Sequence, residues 1–176
     1  MIFTETELAR AYVIDLEPLA DERGFFARAF CEREFCEKGL NPRLIQCNVS
    51  FNLRKGTWRG MHYQEVPFEE AKLVRCTRGA IWDVIVDLRR DSPTFKRQFA
   101  VELSADNRRM LYIPERFAHG FQTLTDGTEI FYQMSEFYSP EYARGFRWND
   151  PAFDIQLPLN ITAISDRDAS FPDFLP

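Results

Sequence analysis

The sequence predicts an all-β fold: an antiparallel jelly-roll sandwich or barrel with one or two short helices on its periphery. Three observations carry this. Segments of period-two hydrophobicity dominate the chain, turn signals separate them at short spacing, and no helices alternate with the strands to build parallel crossovers. The chain has 176 residues, 45% apolar and 15% aromatic. That supports one sizeable core, so a single domain over residues 1–176 is expected.

The elements follow in order. Residues 29–38 (AFCEREFCEK) read as a helix stopped by Gly39. Strands are expected at residues 44–51, 72–76, 80–88 (AIWDVIVDL), 99–103, 110–113 and 129–138 (EIFYQMSEFY). On the last of these Tyr132 and Tyr138 are an even number of positions apart, which puts both on one face. Turns are marked by Thr77-Arg78-Gly79, Arg90-Asp91-Ser92-Pro93 and Thr125-Asp126-Gly127. A second short helix starts at Ser165, where Ser165-Asp166-Arg167-Asp168 fits a capping box.

Charge and composition exclude several functions. A net charge of −5 argues against a nucleic-acid binder, whose affinity comes from clustered cations. Within the basic set, 18 Arg stand against 4 Lys. The arginine fork binds carboxylate or phosphate bidentately, so a small anionic site is expected inside an acidic chain. The apolar runs are too short to span a bilayer, and the acidic N-terminal stretch does not resemble a secretory signal, so a cytoplasmic protein is expected. Cys31, Cys36, Cys47 and Cys76 have no CxxC spacing and read as buried small hydrophobes in a reducing compartment.

Only two histidines are present, His62 in WRGMHYQ and His119 in PERFAHGF. Their surroundings look like the two motifs of a cupin: a first motif over residues 56–79, and a second over residues 114–119 with Arg116 where a glycine is usual. A metal-binding cupin has a second histidine where this chain has Gln64. Two nitrogen ligands are too few for such a centre, so no metal is expected, although Glu69 keeps a metallocupin open as an alternative. The barrel mouth then uses a histidine as a base, which requires an orienter, an anion stabiliser and a proton donor opposite. Lys72 opens a strand ten residues after His62 and can return its ammonium to the same pocket. Asp168 fits the orienter of the imidazole and equally a helix-capping acid; the pattern alone leaves both open.

The blocks RGFFAR, QCNVS, RGMHYQ, AKLVRCTRGAIWDVIVDLRRDSPTF, IPERFAHGF, FYQMSEFYSP, FRWNDP and ISDRDA resemble, in order and spacing, the dTDP-4-dehydrorhamnose 3,5-epimerase family. The resemblance runs from about residue 8 to the C-terminus. It implies a cofactor-free, metal-free isomerase that inverts C3, C5 or both of a nucleotide-linked 4-keto-6-deoxy sugar. By the same resemblance the general base is His62, its carboxylate partner Asp168, the proton donor Tyr132, and the lysine near the ketone Lys72. Contacts to the nucleotide diphosphate and sugar fall on Arg23, Phe26, Gln46, Asn48, Arg59, His119 and Arg167, and the base-stacking tyrosine on Tyr138. A homodimer whose N-terminal segment reaches the partner's site is also implied.

The chain departs from the family pattern at four positions. Arg28 stands where Glu is usual, Ala143 where an acid is common, Gln133 after the donor tyrosine, and Arg116 before His119. Arg28 reverses the charge beside the expected site and is counted among the substrate-binding candidates. These changes keep open a 3-epimerase, or the same chemistry on a GDP- or CDP-linked sugar. A non-catalytic sugar-nucleotide-binding cupin is the alternative of another class.

Overall fold

The structure, a computed structural model, describes residues 1–175. In chain order the elements are β1 (Ile2–Glu5), β2 (Tyr12–Asp15), β3 (Leu19–Asp21), β4 (Gly24–Phe26), α1 (Glu32–Glu37), β5 (Gln46–Asn52), β6 (Trp58–Gln64), β7 (Lys72–Arg78), β8 (Ala80–Asp87), β9 (Gln98–Ser104), β10 (Met110–Ile113), β11 (Phe117–Thr123), β12 (Thr128–Met134), β13 (Ala143–Gly145) and α2 (Asp166–Ser170). A six-stranded sheet runs β1-β2-β10-β7-β12-β5, and a five-stranded sheet runs β13-β6-β11-β8-β9. Strands β3 and β4 form a separate hairpin. The ladders are antiparallel, as the jelly-roll expectation requires.

The two sheets pack face to face. Val74, Leu111, Ile113 and Ile130 from the larger sheet meet Ile81, Ile85, Leu103, Phe117 and Phe121 from the smaller one in a single buried cluster. The smaller sheet is covered on its other face as well. There Trp58, Met61, Val84, Val86 and Ala118 pack under Phe146, Phe153 and Ile155 of the C-terminal region. A sheet buried on both sides does not alternate apolar with polar, and this is why β6 (WRGMHYQ) and β11 (FAHGFQT) escape the period-two reading. The larger sheet is covered on its outer face near α1, where Phe35 packs with Leu73, Met110 and Tyr112.

Three expectations are corrected. Strand β12 ends at Met134, so Tyr138 lies in the following loop and not on the strand that carries Tyr132. Of the cysteines only Cys76 is buried, and burial raises its thiol pKa to about 11; Cys36 and Cys47 are exposed, and Cys31 is partly covered. Cys47 shares its exposure with Val49 and Phe51, the alternate positions of β5 that face away from the core. The first helix is also shorter than expected, six residues, and closes with the amides of Gly39 and Leu40 donating to Cys36 and Phe35 carbonyls. No helix of the described residues is long and apolar enough to cross a membrane.

The C-terminal segment reaches β6 because Gly145, on β13, has no side chain. A Cβ there would stand 2.5 Å from the Phe171 ring and 2.6 Å from the Met61 carbonyl oxygen. The second contact is backbone, so relaxation is expensive. Gly145→Ala is expected to lower unfolding free energy by about 2–3 kcal/mol, read from urea denaturation. A loss under about 0.5 kcal/mol, as for an ordinary surface change, would contradict the close approach.

Candidate active site

Strands from both sheets supply the walls of one cavity of about 320 Å³. From the larger sheet, period two sends Gln46 and Asn48 of β5, Lys72 of β7, and Tyr132 and Met134 of β12 to the same inner face. The register sets them in rows, with Met134 opposite both Gln46 and Lys72, and Tyr132 opposite Asn48. From the smaller sheet come His62, Tyr63 and Gln64 of β6 and Ala143 and Arg144 of β13. His62 and Tyr132 thus belong to opposing sheets, and Tyr138 and Arg167 complete the lining.

Asp168 orients the imidazole. Its Oδ1 lies 2.8 Å from His62 Nε2, and its Oδ2 accepts from the Gly60 amide at 3.3 Å. The capping role falls instead to Ser165, whose Oγ accepts from the Asp168 amide at 3.1 Å. Burial opposes ionisation of Asp168, but hydrogen bonds from His62 and the Gly60 amide prevail and hold its pKa below the ordinary value. An ionised carboxylate only accepts, so Nε2 of a neutral His62 carries the proton and Nδ1 keeps a free lone pair. This is the tautomer a base needs.

Tyr132 is tuned the opposite way. Burial, assisted by the negative charge of Glu70 and opposed by Arg59, raises its phenol pKa, so it remains a proton donor. Lys72 is 7% exposed and forms an ion pair with Glu70 at 2.9 Å. Its ammonium also donates to the His62 carbonyl at 3.4 Å.

The loop that carries Tyr138 is fastened to the site. Its amide donates to Gln46 Oε1 at 3.0 Å, and its hydroxyl accepts from Arg167 Nη1 at 3.4 Å.

The expected residues divide into two groups. His62, Asp168, Lys72, Tyr132, Gln46, Asn48, Tyr138 and Arg167 come together at the cavity. Arg59 sits beside it, exposed, donating to Asn52 Oδ1 at 2.7 Å. His119 faces His62 in the β6–β11 register but is buried behind the cavity lining, with Nε2 2.8 Å from Asp83 Oδ1. Arg23 and Phe26 lie on the exposed β3–β4 hairpin, and Arg23 pairs with Asp21. Arg28 follows the hairpin and pairs with Glu34 at 3.2 Å. None of these three lines the cavity of its own chain. Arg116, where a glycine is usual, has a left-handed backbone with φ +62°, a conformation that favours glycine.

Sequence reasoning missed Glu70 and Arg144. Glu70 lies in the run FEEAK, which reads as a solvated charged stretch. Its one signal is its position two before Lys72. Of the adjacent acids, Glu69 faces a different groove, outside this cavity.

Comparison with known proteins agrees with this geometry. The profile of the family described as dTDP-4-dehydrorhamnose 3,5-epimerase matches residues 5–175. The chain is 42% identical to a Sinorhizobium fredii protein of that name, covering 98% of this chain and 89% of the relative. It is 44% identical to the Methanothermobacter thermautotrophicus protein of that name, with 96% and 92% covered. A crystal structure of the Bacillus anthracis dTDP-4-dehydrorhamnose 3,5-epimerase, with TDP and pyrophosphate bound, superposes with a TM-score of 0.94 at 39% identity, covering 98% of this chain and 99% of that one.

The depressed Asp168 pKa has a consequence for stability. Asp168 releases its proton at lower pH in the folded protein than in the unfolded chain. The stability this contributes is fully present above the unfolded carboxylate pKa of about 4 and is lost as pH falls through the folded value. Asp168→Asn should therefore be less stable than wild type near pH 6, with a deficit that narrows below about pH 4 in urea unfolding. A deficit that stays constant between these pH values would contradict a depressed pKa.

Proposed function

Since this chain belongs to the dTDP-4-dehydrorhamnose 3,5-epimerase family, we propose that His62 and Tyr132 are the base and acid of a 4-keto-6-deoxy sugar epimerase that acts on a dTDP-linked substrate. The single observation that carries the assignment is their placement on opposing sheets of one cavity, one holding a free lone pair and the other a proton.

The chemistry follows from that placement. A C–H bond next to the C4 ketone is acidic only as far as the resulting enolate is stabilised, and the Lys72 ammonium supplies the positive charge at the ketone oxygen. His62 Nδ1 removes the proton while Asp168 stabilises the imidazolium that forms. Tyr132 returns a proton from the opposite face, which inverts the carbon. Repetition at the second flanking carbon needs the ring to turn between steps, His62 to release its proton to solvent and Tyr132 to regain one. Arg167 supplies a cation for the diphosphate, and Tyr138 an aromatic face for the nucleobase.

The same reading takes the active unit to be a cytoplasmic homodimer. Strand β5 ends the larger sheet, and its outer face leaves Val49 62% exposed beside Phe51 and Cys47. An apolar terminal strand of this kind favours a second copy as cover. Arg23 and Phe26, remote from their own cavity, then serve the partner's.

Two experiments test the reading. In heavy water, the protein with dTDP-4-keto-6-deoxyglucose should place deuterium at C3 and C5. His62→Asn should slow this roughly 10²- to 10⁴-fold, whereas Tyr132→Phe should retain exchange and lose inversion. Deuterium at C3 alone would restrict the enzyme to that carbon, and no exchange would overturn the epimerase assignment. In sedimentation, the wild type should run at twice the 20.7 kDa chain mass, and Val49→Glu should run as a monomer with reduced turnover. A monomeric wild type with full activity would overturn the dimer.

A further inference from the structure

The Glu70–Lys72 pair is built with one oxygen too many for an ion pair. Glu70 is 6% exposed and lines the cavity. Its Oε1 lies 2.9 Å from the Lys72 ammonium, while its Oε2 is buried without a hydrogen-bond partner in the chain. Lys72 has three N–H donors, of which Glu70 takes one and the His62 carbonyl another, at 3.4 Å. Of this pair, which lines the cavity, Lys72 therefore keeps one N–H uncommitted and Glu70 one unpaired carboxylate oxygen. Burying a carboxylate oxygen unpaired is unfavourable, so the missing partner must be a donor.

A ketone with a hydroxyl on the adjacent carbon matches this pair atom for atom. The ketone oxygen only accepts, and the neighbouring hydroxyl can donate. The two oxygens of such a group lie about one hydrogen-bond length apart, close enough for the two neighbouring members of an ion pair to take one each. We propose that Glu70 is a specificity residue whose free oxygen accepts a hydrogen bond from the hydroxyl at C3, so that Glu70 and Lys72 together recognise the α-hydroxyketone of the sugar. This rests on the epimerase reading above and deepens it by naming which substituent the site demands. No bond is made or broken by Glu70. It fixes which carbon lies beside His62 by gripping the hydroxyl next to the ketone, and it holds a negative charge near Tyr132 that helps keep the phenol protonated.

The test compares two substrates across variants. Deuterium incorporation at the carbons flanking the ketone is measured as kcat/KM for dTDP-4-keto-6-deoxyglucose and for its 3-deoxy analogue. The proteins are the wild type, Glu70→Gln and Glu70→Met. Any intrinsic difference in C–H acidity between the two sugars is common to all three and cancels. The wild type should prefer the hydroxylated sugar roughly 10- to 100-fold, the range expected of a hydrogen bond to a charged group. That preference should collapse to within about 3-fold in Glu70→Met and be intermediate in Glu70→Gln, which keeps the shape but not the charge. If Glu70 acts only as a counter-ion for Lys72, the variants slow both sugars by the same factor and the preference survives, which overturns the proposal. Glu70→Gln, near-isosteric, guards against a misfolded Glu70→Met. Turnover of neither sugar by the wild type would overturn the epimerase reading itself, whereas equal wild-type turnover of both would overturn only the role of Glu70.

Discussion

The contact on which the site depends is the 2.8 Å link between His62 Nε2 and Asp168 Oδ1, which joins residues 106 positions apart. Each partner is placed by a different part of the chain. His62 is held by β6, whose register is set by β11 on one side and β13 on the other. Asp168 arrives on α2, a helix of five residues that is too short to be stable alone. Its position comes from Ser165 at its N-cap, from Phe171 packed edge-on to the His62 ring at 5.9 Å, and from the space left by Gly145. The proposed base is therefore held in place by tertiary structure. Anything that lifts the C-terminal segment from the smaller sheet removes the carboxylate from the imidazole as well.

That dependence accounts for the cover on the smaller sheet. Residues 146–164 wrap its outer face: Phe146 stacks on Phe153, Phe174 from the chain end meets the first edge-on and the second tilted, and Gln122 bonds the Leu159 backbone in both directions. This layer runs directly into Ser165, the N-cap of α2. Burial on both faces is thus tied to catalytic geometry and not only to stability.

The same double burial marks the limit of what is legible in the sequence. Strands β5, β7, β8, β9, β10 and β12 can be read, because turn residues punctuate them and their side chains alternate or are richly β-branched. Strands β6 and β11 carry both histidines and cannot be read that way, since WRGMHYQ and FAHGFQT have no polar face to alternate with. Strands β3, β4 and β13, of three residues each, are below the length at which a period declares itself. Catalytic identity was nonetheless recoverable from ordered blocks of residues resembling a family. Pattern alone left Asp168 divided between cap and orienter, because a capping box and a His–Asp pair place the same acid at the same position. Only the path of its carboxylate separates them. Tyr138 shows the converse: a correct expectation of its neighbourhood rested on a wrong strand, since a loop fastened by Gln46 and Arg167 takes it to the cavity.

Electrostatics explains why an acidic chain holds a site for an anionic, proton-exchanging substrate. The chain carries −5 overall, yet the cavity gathers Lys72, Arg144 and Arg167 around a single acid, Glu70. A second acid, Asp168, stands behind the imidazole, where its charge acts on Nε2. The two carboxylates thus do opposite work. Asp168 accepts from Nε2 and is placed to compensate positive charge on the imidazole, whereas burial, with Glu70 adding to it against Arg59, raises the Tyr132 phenol pKa and so the cost of phenolate. Inversion needs both, because a phenol that ionised early would leave two bases and no acid across the ring. With Asp168 on α2 behind His62 and Glu70 just ahead of β7, beside Tyr132, one cavity keeps a free lone pair on one wall and a proton on the other.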